Sequence, residues 1–155
     1  AVFVNNSSFG PDAWCTMMKK ELKTKYYATP IDLGEQCDSS LALLGKLEEY
    51  LSKNEPCVVV ICCSSEEAIF SESPNPDGNP TSDNSSFVKN VREMVLRSTN
   101  ANVKTVVCGA LPLDGATADQ AQLLNSTNDQ MRTLAAEAGA DFVDLLAACA
   151  GAAAA

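Results

Sequence analysis

Serines that follow short apolar runs, paired carboxylates and thiols are the side chains of this chain that could do chemistry. Ser7 and Ser8 come directly after the apolar run Ala1–Asn5 and before an amphipathic stretch. A hydroxyl so placed stands where N–H groups at a helix N-terminus could hold a developing oxyanion, the arrangement acyl transfer needs. The same residues, with Asn6, are also ordinary helix caps, and local sequence alone favours that plainer role. A serine hydroxyl is a weak nucleophile until a neighbouring base takes its proton. None of the 155 residues is a histidine, which excludes every triad built on imidazole and the usual zinc sites. Glu66, Glu67 and Asp32 could in principle act as base, but a solvated carboxylate is poorly matched to that transfer near neutral pH. Glu66 and Glu67, with Glu72, Asp77 and Asp83, match no calcium loop and read as a solvated acidic lid. No metal and no cofactor is expected.

The seven cysteines are Cys15, Cys37, Cys57, Cys62, Cys63, Cys108 and Cys149. No CxxC pair occurs, so neither a zinc ribbon nor a thioredoxin-type motif is present. Several lie in apolar runs, where a free thiol behaves as a small hydrophobe. Most are expected to be reduced, with Cys57 and Cys62 buried and with Cys62, Cys63 and Cys108 at one sheet edge. The odd count leans to a cytoplasmic or organellar setting, whereas sequons at Asn5, Asn6, Asn84 and Asn125 lean weakly to a secreted one. The compartment stays open.

These groups must be positioned by one domain, because 155 residues is a single domain's length. Hydrophobic residues make up 46% and charged residues 20%, the balance of a chain with a packed core. No run reaches the roughly 18 apolar residues that span a bilayer, and no basic segment followed by an apolar run opens the chain. Eleven basic against twenty acidic residues give a net charge of −9, which argues against nucleic acid or anionic lipid as main partner.

Strand-like and helix-like segments alternate. Ala1–Asn5 reads as a buried strand. Asp12–Tyr26 reads as a helix with Trp14, Met17, Met18 and Leu22 at helical spacing and Lys19, Lys20, Lys23 and Lys25 solvated. Tyr26–Leu33 reads as a second strand, ended by Gly34. Ser39 or Ser40 caps a helix to about Asn54, burying Leu41, Leu43, Leu44, Leu47, Tyr50 and Leu51. The β-branched run Cys57–Cys62 reads as a strand covered on both faces. Ser71–Ser82, with three prolines and a glycine, reads as a loop or lid. A helix from Ser85 or Ser86 turns Phe87, Val88, Val91, Met94 and Val95 inward. Val103–Cys108 is a fourth strand. Ala118–Ala138 is a long helix with Leu123, Leu124, Met131 and Leu134 inward, stopped by Gly139. Phe142–Leu145 is a fifth strand, and the alanine-rich tail 147–155 is compatible with a helix end. The alternation predicts a three-layer α/β/α sandwich on a five-stranded parallel sheet of order 2-1-3-4-5, with the site at the carboxyl ends of the strands.

The loops at those ends resemble the SGNH (GDSL-type) hydrolase family over nearly the whole chain, Ala1 to Leu145. Phe3-Val4-Asn5-Asn6-Ser7 sits where that family has an apolar strand and Gly-Asp-Ser, which makes Ser7 the nucleophile position. Leu33-Gly34 is similar to the second block, whose glycine N–H serves the oxyanion hole. Val59–Glu66 sits where the family has a valine-rich strand followed by Gly-x-Asn-Asp, which puts Cys63, Ser65 and Glu66 at those three positions. Val103–Val107 and Ala140–Leu145 resemble its last two strands. The Asp-x-x-His block that should follow the fifth strand is missing. Flavodoxins hold phosphate in a similar first loop, but their Ser/Thr-x-Thr-Gly-x-Thr pattern is absent, so flavin is not expected.

The resemblance and its departures imply an SGNH-like domain without catalysis, in which Ser7, Gly34 and Ser65 are vestigial nucleophile and oxyanion-hole positions. Its expected role is structural or binding, with other protein subunits as partners and with a small-molecule or glycan ligand in the old pocket. The alternative is a serine esterase that uses Ser7 and an Asp-x-x-His block lying outside these residues.

Overall fold

A computed structural model describes residues 2–5, 14–26, 29–34, 39–62, 65–70 and 86–153. Five strands pair in parallel in the order β2-β1-β3-β4-β5, where β1 is Val2–Asn5, β2 Ile31–Asp32, β3 Val58–Cys62, β4 Lys104–Cys108 and β5 Asp141–Val143. Among the described residues, six helices connect or follow them: α1 Trp14–Tyr26, α2 Ser40–Lys53, α3 Ser65–Phe70, α4 Ser86–Asn100, α5 Ala118–Glu137 and α6 Leu145–Ala153. The α/β class and the parallel sheet expected from the alternation are present.

Among the described residues, the main core lies on one face of the sheet. Val59 and Ile61 of β3 and Val107 of β4 alternate inward and meet Leu43 and Leu47 of α2, Phe87, Val91, Met94 and Val95 of α4, and Leu124, Met131 and Leu134 of α5. Each helix places these residues three and four apart, so a single stripe faces the sheet. Val58, Val60 and Val106, which alternate to the opposite face, are half-buried. The crossover through α1 runs along the sheet in the reverse direction, and right-handedness assigns α1 to that second face.

Local signals fix the helix ends. Ser39 caps α2 by accepting from Ala42 N. Thr117 and Gln120 form a reciprocal capping box on α5. After α4 the chain turns through Asn102 at φ 57°, and Val103 N donates to Ser98 O. After α5 the same turn recurs at Gly139, φ 70°, with Ala140 N donating to Ala135 O. Both are left-handed helix stops, one on asparagine and one on glycine.

Several expectations need correction. The second strand is only Ile31–Asp32, because Thr29 and Pro30 stand outside the ladder and Pro30 has no N–H to contribute. Cys57 is exposed, since β3 begins one residue later. Met17 and Leu41 are 56% and 65% exposed, so the apolar stripes of α1 and α2 are narrower than their sequences suggest. Lys19 is not a solvated lysine; it pairs with Asp32 at 2.9 Å. Residues 65–70, whose Glu66 and Glu67 are expected in a solvated acidic lid, form α3, and the alanine-rich tail continues α6 through Ala153. The proline-rich segment Ser71–Ser82 lies outside the described residues.

Candidate functional site

The parallel register brings the strand ends level. Asn5 pairs with Cys62 and Cys62 with Cys108, and Cys108 pairs with Val143. Asp32, which pairs with Phe3, ends β2, and Gly34 follows two residues on. Gly34, Ser65 and the end of β1, two residues before Ser7 in sequence, therefore share the carboxyl edge of the sheet. Ser7 and Cys63 lie outside the described residues, as do Glu72, Asp77, Asp83 and the sequon residues Asn6 and Asn84. Asn125 is exposed on α5.

At Gly34 and Ser65, the two positions expected from the resemblance to belong to an oxyanion hole, the donors point at internal acceptors. Gly34 is buried, and its N–H donates to Asp32 Oδ1 at 2.9 Å. Asp32 Oδ2 in turn meets Lys19 Nζ at 2.9 Å, with the carboxylate side chain 12% exposed. Across the sheet edge, Ser65 Oγ donates to Leu111 O at 2.6 Å. A peptide N–H and a serine hydroxyl each carry one proton to donate. Both are committed.

The carboxylates that sequence offers as bases divide. Asp32 is held between Lys19 and Gly34. Glu66 is exposed at the start of α3. Glu67, expected to be solvated with Glu66, instead reaches the first turn of α2: Ser40 N lies 2.9 Å from both of its oxygens and Ser40 Oγ donates to Oε1 at 2.6 Å. Asn90 Nδ2 donates to the same hydroxyl at 2.9 Å, so one carboxylate ties α3, α2 and α4 together. The helix N-terminus favours that negative charge. Among the described residues, no group of three or more histidine, cysteine, aspartate or glutamate side chains is placed to hold a metal ion.

Sequence reasoning missed a second buried polar contact, beyond β4. Asn128, in the middle of α5 and 3% exposed, accepts from Ala110 N at 2.8 Å through Oδ1, while its Nδ2 has no partner among the described residues. Gly109 permits the approach, because a Cβ there would stand 2.9 Å from that oxygen. The available signal was an asparagine at an inward helical position, four residues after the buried Leu124. Asn128 also borders an open cleft of about 750 Å³ between α5 and α6. Arg132 crosses this cleft, pairs with Asp129 and Asp144, and lies 5.0 Å over the Phe142 ring.

In sequence, no family model and no curated protein matches the chain. In structure it is similar to TesA, with a TM-score of 0.66 at 14% identity, over 91% of this chain and 74% of TesA. It is similar to the acetyl xylan esterase AlAXEase, with a TM-score of 0.64 at 20% identity, over 93% of this chain and 76% of the esterase. The psychrotrophic esterase EstA from Pseudoalteromonas gives 0.65 at 14% identity, over 92% and 75%. The chain has an SGNH-like fold, which it shares with these three proteins.

Proposed function

We propose that these 155 residues are an SGNH-like domain that does not hydrolyse esters and serves instead as a structural or binding module. The inward commitment of both oxyanion positions supports this reading most directly. A tetrahedral intermediate needs donors aimed at the site of the developing charge, and loss of one donor commonly lowers turnover by about 100- to 1,000-fold. Here the Gly34 N–H is on Asp32 and the Ser65 hydroxyl is on Leu111 O. Two further observations agree. The 155 residues hold no histidine, and Asp32 and Glu67 are each engaged by internal partners. Other protein subunits, or a small-molecule or glycan ligand held at the carboxyl edge, are the partners such a module would take.

A second reading is favoured by the fold neighbours, two of which are named esterases. In it Ser7 is the nucleophile and an Asp-x-x-His block comes from outside residues 1–155. Turnover of a small activated acetyl ester by the 155-residue chain, beside its Ser7→Ala variant, tests the first reading. Equal, slow release from both is expected. Catalytic release that vanishes in Ser7→Ala would overturn the proposal.

A further inference from the structure

Cys62 and Cys108 are the last residues of β3 and β4, and the ladder makes them register partners. Adjacent strands lie about 4.7–4.9 Å apart, inside the about 4.4–6.8 Å Cα separation that a disulfide spans. Register partners in a parallel pair also project from the same face of the sheet. Neither is bonded to another sulfur, and both are buried, at 6% and 5% exposure. A hydrogen bond with the Cys62 side chain holds the Cys108 thiol below its ordinary value, against the opposing effect of burial. Two register-paired thiols on one face of adjacent strands have the parts of an attacking and a resolving pair.

We propose that Cys62 and Cys108 form a reversible dithiol–disulfide site at the carboxyl edge of the sheet, oxidised by hydrogen peroxide. The Cys108 thiolate attacks one peroxide oxygen, the O–O bond breaks, and Cys108 becomes a sulfenic acid as hydroxide leaves and is protonated to water. The Cys62 thiol then attacks the Cys108 sulfur. An S–S bond forms, the S–O bond breaks, and the departing hydroxide leaves as water with the Cys62 proton. Two thiols lose two electrons, and one peroxide is reduced to two waters. A small-molecule dithiol reverses the change by exchange.

The position gives this site a consequence for the carboxyl edge. Ser65 and Leu111 each lie three residues beyond one of the two cysteines, and their hydrogen bond joins the same two strand extensions. A covalent bond between the sulfurs fastens the base of that bridge, so the oxidised form holds Ser65 more rigidly than the reduced form does. This inference is independent of whether Ser7 turns over esters.

The test treats the folded 155-residue chain with hydrogen peroxide, blocks remaining thiols in acid, and maps linked peptides by mass spectrometry. We expect a peptide pair joining the β3 segment to the Cys108 segment, a loss of two hydrogens in intact mass, and recovery on dithiothreitol. The link should disappear in Cys62→Ala and Cys108→Ala and persist in Cys57→Ser and Cys63→Ser. Alanine is chosen at the two buried sites so that the fold survives, which far-UV circular dichroism checks. A Cys108 that stays blockable after peroxide, that goes to a sulfinic acid, or that remains linked in Cys62→Ala would overturn the proposal. Because the wild-type map alone carries the first two outcomes, the test does not depend on any variant folding.

Discussion

At the residue scale, the contact between Gly109 and Asn128 offers a clean pair of substitutions. Gly109→Ala inserts a methyl 2.9 Å from Asn128 Oδ1, and overpacking of this kind costs about 1–3 kcal/mol. Asn128→Ala leaves the fully buried Ala110 N–H without its acceptor, again a loss of about 1–3 kcal/mol. The double variant should lose less than the sum, because the removed amide makes room for the added methyl. Urea unfolding of the four proteins measures this coupling, and strictly additive losses would show that the two residues do not meet. Residue identity alone did not disclose the contact. An asparagine on a helix reads as a surface residue, and its burial depends on the path of the chain after β4. Glu67 is similar: its neighbour in sequence, Glu66, is solvated, while Glu67 finds Ser40 at 27 positions' distance. Sequence names the groups that could do chemistry. Which of them are already tied to internal partners is decided by tertiary approach.

At the scale of elements, helix ends carry the sharpest expectations. Gly139 sits at φ 70° with open space around its α-carbon, so Gly139→Ala meets no clash and suffers only the left-handed backbone penalty of about 1–2 kcal/mol. Thr117→Ala removes half of the α5 capping box and should cost about 1 kcal/mol. Thermal or urea unfolding checks both. The exposed pair Lys53–Glu49 on α2 behaves differently. Its hydrogen bond, and then the Lys53 charge, hold the Glu49 carboxyl below its ordinary value. A carboxyl depressed in the folded state adds stability above its unfolded value and loses it as pH falls through the folded value. The pair is solvated, so Lys53→Ala should leave the neutral-pH unfolding midpoint almost unchanged, and the remaining difference should vanish in acid and in high salt. These elements were largely legible in the sequence. The stripes Leu43–Leu47 and Phe87–Val91–Met94–Val95, the Ser39 cap and the Gly139 stop all carry local signals. Helix α3 was not, because six residues beside a proline-rich run offer too few turns for a periodicity to register.

On the scale of the whole molecule, stability should be graded across the sheet. β3 and β4 are flanked on both sides and floor the main core, whereas β5 is a three-residue edge. Amide hydrogen exchange should therefore be slowest at Val59, Ile61 and Val107 and fast in β5. Equal protection across the five strands would contradict that grading. The net charge of −9 predicts passage without retention through immobilised DNA at about 0.1 M salt, and retention there would reveal a basic patch outweighing the total. The parallel sheet was readable from the order of segments, since doubly covered valine runs separated by helices leave few other architectures. The thinner cover of Val60 and Val106 was not, because periodicity does not say how wide the facing layer is.

The shortness of β5 bears on how copies or partners could join. Its free edge offers a visiting strand hardly any ladder, the charged Asp141 and Lys104 stand paired at one end, and Arg132 lies across the Phe142 ring. Such an edge is blunted against templated growth. An assembly built from this domain would thus gain little mortar from strand addition at β5.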